Sequence, residues 1–350
     1  MQATARDRLN KVLSSQLAAT DIANLSNELG HILDRLGDYA GAFEAFNKKA
    51  LGVQVPGQRR FDPTNLYRFI RHTQSKVTPE AAAQWKKTLP IDDLPDPIFL
   101  VAFPRSGTTL LERILSTCPD LVISNEEGMI QQTFESIPMI TAQDNNYPEN
   151  LNALTSNDVT ALRRKYWELA GDITGYQPQE KLLLDKLPLN LINMACIHRL
   201  FPNASIILAL RDPRDCCLSC FMQIFLQDDL TAAFNSIDET AELYALSMDL
   251  LQHYRKTLDL RLFESRYEDL VNEPEKQIHA LVDFLEFEWC DDFLSHHEKR
   301  HYKTQRTPSG LDVGRPIYKR ATGRWTHYTP YMKSALEKLQ PFVEAFGYAE

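Results

Sequence analysis

Four short stretches of this chain carry side chains that can bind an anion or move a proton. In Phe103-Pro104-Arg105-Ser106-Gly107-Thr108-Thr109, a cation, hydroxyls and a glycine follow one another directly. The apolar run IFLVAF precedes them, and TTLLERILS, with apolar residues at helical spacing, follows. A strand-to-helix turn of this kind leaves the first backbone N–H groups without intrahelical partners, at the positive end of the helix dipole. Gly107 lets that backbone approach an anion closely, and Arg105, Ser106, Thr108 and Thr109 add donors, a setting suited to a 5′-phosphate. No Lys follows Gly107, so this is not the G-x-x-x-x-G-K-[ST] loop that polarises a γ-phosphate.

The second stretch, Arg211-Asp212-Pro213-Arg214-Asp215, follows the apolar run ASIILAL. Pro213 suits a helix first turn, so Arg211 falls at the strand end and Ser219 on the ensuing helix. Ligands of open α/β sheets bind outside the carboxyl ends of the strands. Two anion sites placed there imply one ligand with two separated anionic groups. The third and fourth stretches are Asn125-Glu126-Glu127 after LVIS and Lys186-Leu187-Pro188 after KLLLD. They put a carboxylate pair and a cation at further strand ends, on the edge where ligands of such sheets bind. Either carboxylate could instead cap the helix that follows.

The elements that must position these residues read as an α/β fold. Strand candidates at 98–103, 121–124, 181–185, 204–210 and 261–266 alternate with helical stretches at 158–169, 191–200, 213–225, 237–254 and 273–284. Buried apolar strands alternating with helices predict a parallel, P-loop-like sheet covered on both faces. Residues 1–90 read as all-helical, and proline-rich LPIDDLPDP joins them to a domain over 91–350. Within the helical region, Leu29, Ile32, Leu33 and Leu36 mark one apolar stripe, and Tyr39, Ala42, Phe43 and Phe46 another, with Gly37-Asp38 as the joint. This resembles one tetratricopeptide (TPR) hairpin, where an independent array needs about three. An ordinary helical hairpin fits as well.

The chain has 350 residues, and 38 Lys and Arg against 47 Asp and Glu give a net charge of −9. That balance argues against a general nucleic-acid binder, whose affinity comes from neutralising phosphates. No apolar stretch is long enough to span a bilayer, and the first residues lack a signal-peptide apolar core, so a cytoplasmic protein without membrane attachment is expected. Six cysteines, three of them in Cys216-Cys217-x-x-Cys220, form neither a disulfide framework nor a zinc pattern and read as buried thiols. Tyr166, Trp167 and Phe225 could line an aromatic pocket, but residues at helical spacing are more often core.

Pro104–Thr109 taken with Leu208–Arg214 and Ser219 resembles the sulfotransferases that use 3′-phosphoadenosine 5′-phosphosulfate (PAPS), and most nearly the protein-tyrosine and TPR-bearing branch. The resemblance runs from about Pro97 to the C-terminus. It implies that Arg105, Ser106, Gly107, Thr108 and Thr109 hold the 5′-phosphosulfate and that Arg211 and Ser219 hold the 3′-phosphate. It implies a nucleotide contact for Tyr267, in Ser265-Arg266-Tyr267-Glu268-Asp269-Leu270, and a 3′-phosphate contact for Arg324 before Trp325. Glu126, with Glu127 as its rival, stands where that branch places its base, and Lys186 stands where it meets the bridging oxygen. Ser309 is implied as a further donor there, in a segment whose Asp312-Val313 and Gly314 depart from the family pattern.

The reaction implied is in-line transfer of a sulfuryl group from PAPS to an acceptor hydroxyl, with no metal required. The acceptor, a peptidyl tyrosine or the hydroxyl of a sugar, lipid or small metabolite, stays open, as does the oligomeric state. Two other readings remain: a nucleotide-dependent phosphotransferase on the same sheet, and a non-catalytic scaffold whose helical hairpin is the working surface.

Overall fold

The computed structural model describes residues 2–14, 17–53, 61–141, 143–176, 181–225, 228–295 and 322–348. They divide into two compact units. One comprises Ile70–Arg211 and Asp249–Lys319, the other Met1–Phe69, Asp212–Met248 and Arg320–Glu350.

The first unit contains a five-stranded sheet: β1 (Ile98–Ala102), β2 (Leu121–Ile123), β3 (Leu182–Lys186), β4 (Ser205–Leu210) and β5 (Arg261–Arg266). All pairings are parallel, in the order β2-β3-β1-β4-β5. Alternate residues of a strand face opposite sides, and here both sides are covered. Ile98, Leu100 and Ala102 join the core formed with Leu111 and Ile114 of the helix Thr108–Leu115. Phe99 meets Tyr166 and Phe201 instead. That two-sided burial is why the central strands β1 and β4 read as unbroken apolar runs.

β1 is followed in the chain by β2, on one side of it, and β4 by β5, on the other. The neighbours β1 and β4 therefore flank the point where the winding of the sheet reverses, the place where ligands of open α/β sheets bind outside the carboxyl ends. The proline-rich stretch is clamped rather than free. Buried Arg163, on the helix Ser156–Thr174, donates from Nε to Asp92 Oδ1 at 3.0 Å, from Nη1 to Asp96 Oδ1 at 2.6 Å, and to the Leu94 carbonyl. Tyr166 and Trp167 on that helix are buried, Trp167 stacked on Tyr176, so they belong to the core.

The second unit is helical in its described residues. Helices Ala19–Arg35 and Tyr39–Val53 form a hairpin turned at Gly37, which takes a left-handed conformation with φ of 80°. Leu29, Ile32 and Leu33 are buried, whereas Leu36, expected on the same stripe, is exposed because the helix stops at Arg35. Gly30 faces Phe46 so closely that a Cβ there would lie 2.5 Å from the ring. Cys216, Cys217 and Cys220 are buried free thiols on the helix Pro213–Phe221. Among the described residues no helix is long and apolar enough to cross a membrane.

Candidate active site

The parallel register puts all five strand ends on one edge of the sheet. Reading along the strand order, that edge carries Glu126 beyond β2, Lys186 closing β3, the Pro104–Thr109 turn beyond β1, Arg211 beyond β4 and Tyr267 beyond β5. All these residues lie in the first unit.

The turn beyond β1 is built as its residue types suggest. Gly107 is the N-cap of the helix Thr108–Leu115, with φ 94° and ψ 12°. A Cβ at that position would meet Tyr267 Cδ2 at 2.7 Å, so glycine is required both by the left-handed backbone and by the ring against it. Arg105 and Glu126 also have positive φ, 70° and 58°. Among the described residues the only other non-glycine case is Glu286, a helix C-cap. Such backbone costs roughly 1–3 kcal/mol where nothing compensates it, and it collects at functional sites.

Arg211 Nη1 donates to the Arg105 carbonyl at 3.0 Å, across 106 positions of chain. Its guanidinium carbon also lies 5.3 Å from the centre of the Tyr267 ring. The loops after β1, β4 and β5 thus meet around one crevice, as a single ligand with two anionic groups requires.

The other end of the row is a charge cluster. Lys186 is 1% exposed, and its Nζ lies 2.8 Å from Glu112 Oε2 while also pairing with Glu126 Oε1. Glu112 is fully buried, whereas Glu126 is 37% exposed. The sheet itself brings these groups together. Ser124 N–H donates to the Leu184 carbonyl at 3.0 Å, and Lys186 N–H donates to Ser124 Oγ at 3.0 Å, which ties the loop after β2 to the end of β3. It is Glu126, not the exposed Glu127, that reaches the lysine. Asp185, whose side chain is buried, accepts from Tyr166 Oη at 2.9 Å. Burial pushes its carboxyl up to about 7, against the pull of the Tyr166 and Ser124 hydroxyls.

Glu112 was not singled out among the site residues in the sequence. A Glu between Leu111 and Arg113 on an amphipathic helix resembles a solvent-facing residue, and only the side on which it falls distinguishes it. Ser219 and Arg324 belong to the second unit, where Arg324 Nη2 pairs with Asp34 Oδ2 at 2.7 Å and Tyr328 Oη donates to Asp34 Oδ1 at 2.7 Å. Ser309 lies outside the described residues.

A model of the sulfotransferase family matches residues 97–291, from just before β1 to beyond β5. An uncharacterized protein of Aquifex aeolicus (strain VF5) is 26% identical over 89% of this chain, and the match spans 40% of that protein's own length. Protein-tyrosine sulfotransferase 2 of Gallus gallus is 24% identical over 72% of this chain and 69% of its own. The sulfotransferase domain of the Synechococcus PCC 7002 olefin synthase has a similar fold, with a TM-score of 0.52 and 21% identity over 75% of this chain and 98% of that domain. With more than half of its length matched by the family model, the chain belongs to the sulfotransferase family.

Proposed function

We propose that this protein transfers the sulfuryl group of PAPS to an acceptor hydroxyl, with Glu126 as base and Lys186 at the leaving oxygen. The observation that carries this reading is the meeting of the Arg105 and Arg211 loops at the winding reversal, with the Glu126–Lys186 pair on the same sheet edge. The residues fit such a donor. Arg105 and the first N–H groups of the helix Thr108–Leu115 suit a 5′-phosphosulfate, and Gly107 lets the backbone take the left-handed turn at which that helix begins. Arg211 suits the second phosphate, as a fixed guanidinium fork does.

The acceptor gives its proton to Glu126 as its oxygen bonds to sulfur. The bond from sulfur to the bridging oxygen breaks, its electron pair staying on the phosphate of adenosine 3′,5′-bisphosphate, where the Lys186 ammonium meets the charge. The half-exposed position of Glu126 supports its access to an acceptor arriving from solvent. The likeness to Gallus gallus protein-tyrosine sulfotransferase 2 supports a tyrosine hydroxyl as the acceptor class.

The test is transfer of label from PAPS to a tyrosine-containing peptide. Glu126→Gln should lower kcat by about 10²–10⁴, the usual contribution of a positioned base, with adenosine 3′,5′-bisphosphate still bound. Unchanged turnover in that variant removes Glu126 from the role and moves it to Glu127 or to the substrate. Calorimetric binding of ATP–Mg²⁺ in place of the bisphosphate would favour phosphoryl transfer.

A further inference from the structure

We propose that Glu112 is a positioning residue that acts through Lys186, holding its ammonium in place while Glu126 is protonated. The inference rests on the roles given above to Glu126 and Lys186.

The two carboxylates on Lys186 are unlike. Glu126 sits on the loop after β2 and is partly open to solvent, whereas Glu112 is fully buried on the helix Thr108–Leu115, 2.8 Å from the ammonium. In the transfer step Glu126 takes the acceptor proton and becomes neutral, so its ion pair with Lys186 is lost as charge appears on the leaving oxygen. Breaking a buried pair by removing one partner is strongly unfavourable, because the other charge is left uncompensated. Glu112, fully buried, stays beside the ammonium when the Glu126 pair is lost. Lys186 therefore stays anchored through the step, while its second position passes from the Glu126 carboxylate to the leaving oxygen. Glu112 makes and breaks no bond. The helix that carries it also begins at the Gly107 turn, so a single element sets both the phosphosulfate cradle and the lysine.

A double-mutant cycle on the full chain tests this, with labelled PAPS and a tyrosine-containing peptide. Glu112→Gln is expected to lower kcat about tenfold or more, with KM for PAPS and the Kd of adenosine 3′,5′-bisphosphate within about threefold of wild type. In a Lys186→Met background the same substitution should cost less than about twofold, because its route to the reaction has been removed. Equal losses in both backgrounds, or no loss in the first, overturn the inference. If Glu112→Gln no longer binds the nucleotide, Glu112→Asp takes its place, keeping the charge but withdrawing it by one methylene. A lowered kcat with nucleotide binding intact then supports the role, and an unchanged kcat rejects it. A wild-type chain that transfers no label to the peptide or to a simple phenol fails the tyrosine-acceptor reading, a different result from an active wild type indifferent to Glu112.

Discussion

At Asp185 a carboxyl is enclosed by the core at the end of β3, with the Tyr166 hydroxyl 2.9 Å away. Enclosure favours the protonated form, which moves the group from an ordinary 3.8 to about 7. An acid raised on folding binds more protons in the native state. Its contribution to stability is therefore complete below pH 3.8 and is lost as pH rises to about 7. Asp185→Asn keeps an acceptor for Tyr166 and has no proton to lose. Its urea midpoint should rise relative to wild type between pH 5 and pH 8, and an equal gap at both values would mean that enclosure does not set the charge. The same scale shows what could be read in advance. Arg105, Gly107, Lys186 and the pair Glu126-Glu127 announce themselves by type and by their distance from apolar runs, but only the family resemblance favours Glu126 over Glu127. Glu112 does not, because an acidic residue in a helix is ordinarily solvated, and the positive φ of Arg105 and Glu126 leaves no trace in residues free to adopt other conformations.

Helix packing turns on contacts that composition alone does not show. Gly30 and Gly171 both lie inside helices, where glycine costs about 1 kcal/mol relative to alanine. At Gly171 a Cβ would come no closer than 3.5 Å to the Tyr176 carbonyl oxygen, an ordinary contact, so Gly171→Ala should raise Tm by a few degrees. At Gly30 the added carbon would lie 2.5 Å from the Phe46 ring, and overpacking of that kind costs about 1–3 kcal/mol. The clash outweighs the propensity gain, so Gly30→Ala should lower Tm although the substitution is the same. Calorimetric scans of the two variants check both signs. Strands β1 and β4 were legible because they are buried on both faces, and the hairpin because its stripes have helical spacing, whereas the edge strands β2 and β5 are only partly buried. Strand order was not, since nothing local tells β3 to lie between β2 and β1. The short helices Met129–Glu135 and Ile137–Ile140 also escaped notice, lacking enough turns for a period to show.

For the molecule as a whole, the question is whether residues 1–90 form a separable region. Several contacts argue that they do not. Within the second unit, Asp34 holds Arg324 and Tyr328, and Phe43 and Phe46 both pack on Phe221. The Lys49 ammonium donates to the carbonyls of Phe221 and, at 2.8 Å, of Gln223, capping the end of the helix Pro213–Phe221. Within the first unit, Arg199 Nη1 donates to the Thr88 carbonyl at 2.9 Å, and Trp85 Nε1 to Asn152 Oδ1 at 2.8 Å. A chain beginning at residue 91 loses one side of every one of these contacts. Uncovering Phe221 and Tyr328 alone forfeits about 1.5–3 kcal/mol each, and the whole stability of a domain is only about 5–15 kcal/mol. The shortened chain should therefore unfold at a clearly lower temperature than the full chain or precipitate on expression. If it instead melts where the full chain does and still binds adenosine 3′,5′-bisphosphate, residues 1–90 are a separable attachment, and their hairpin is free to serve as a docking module.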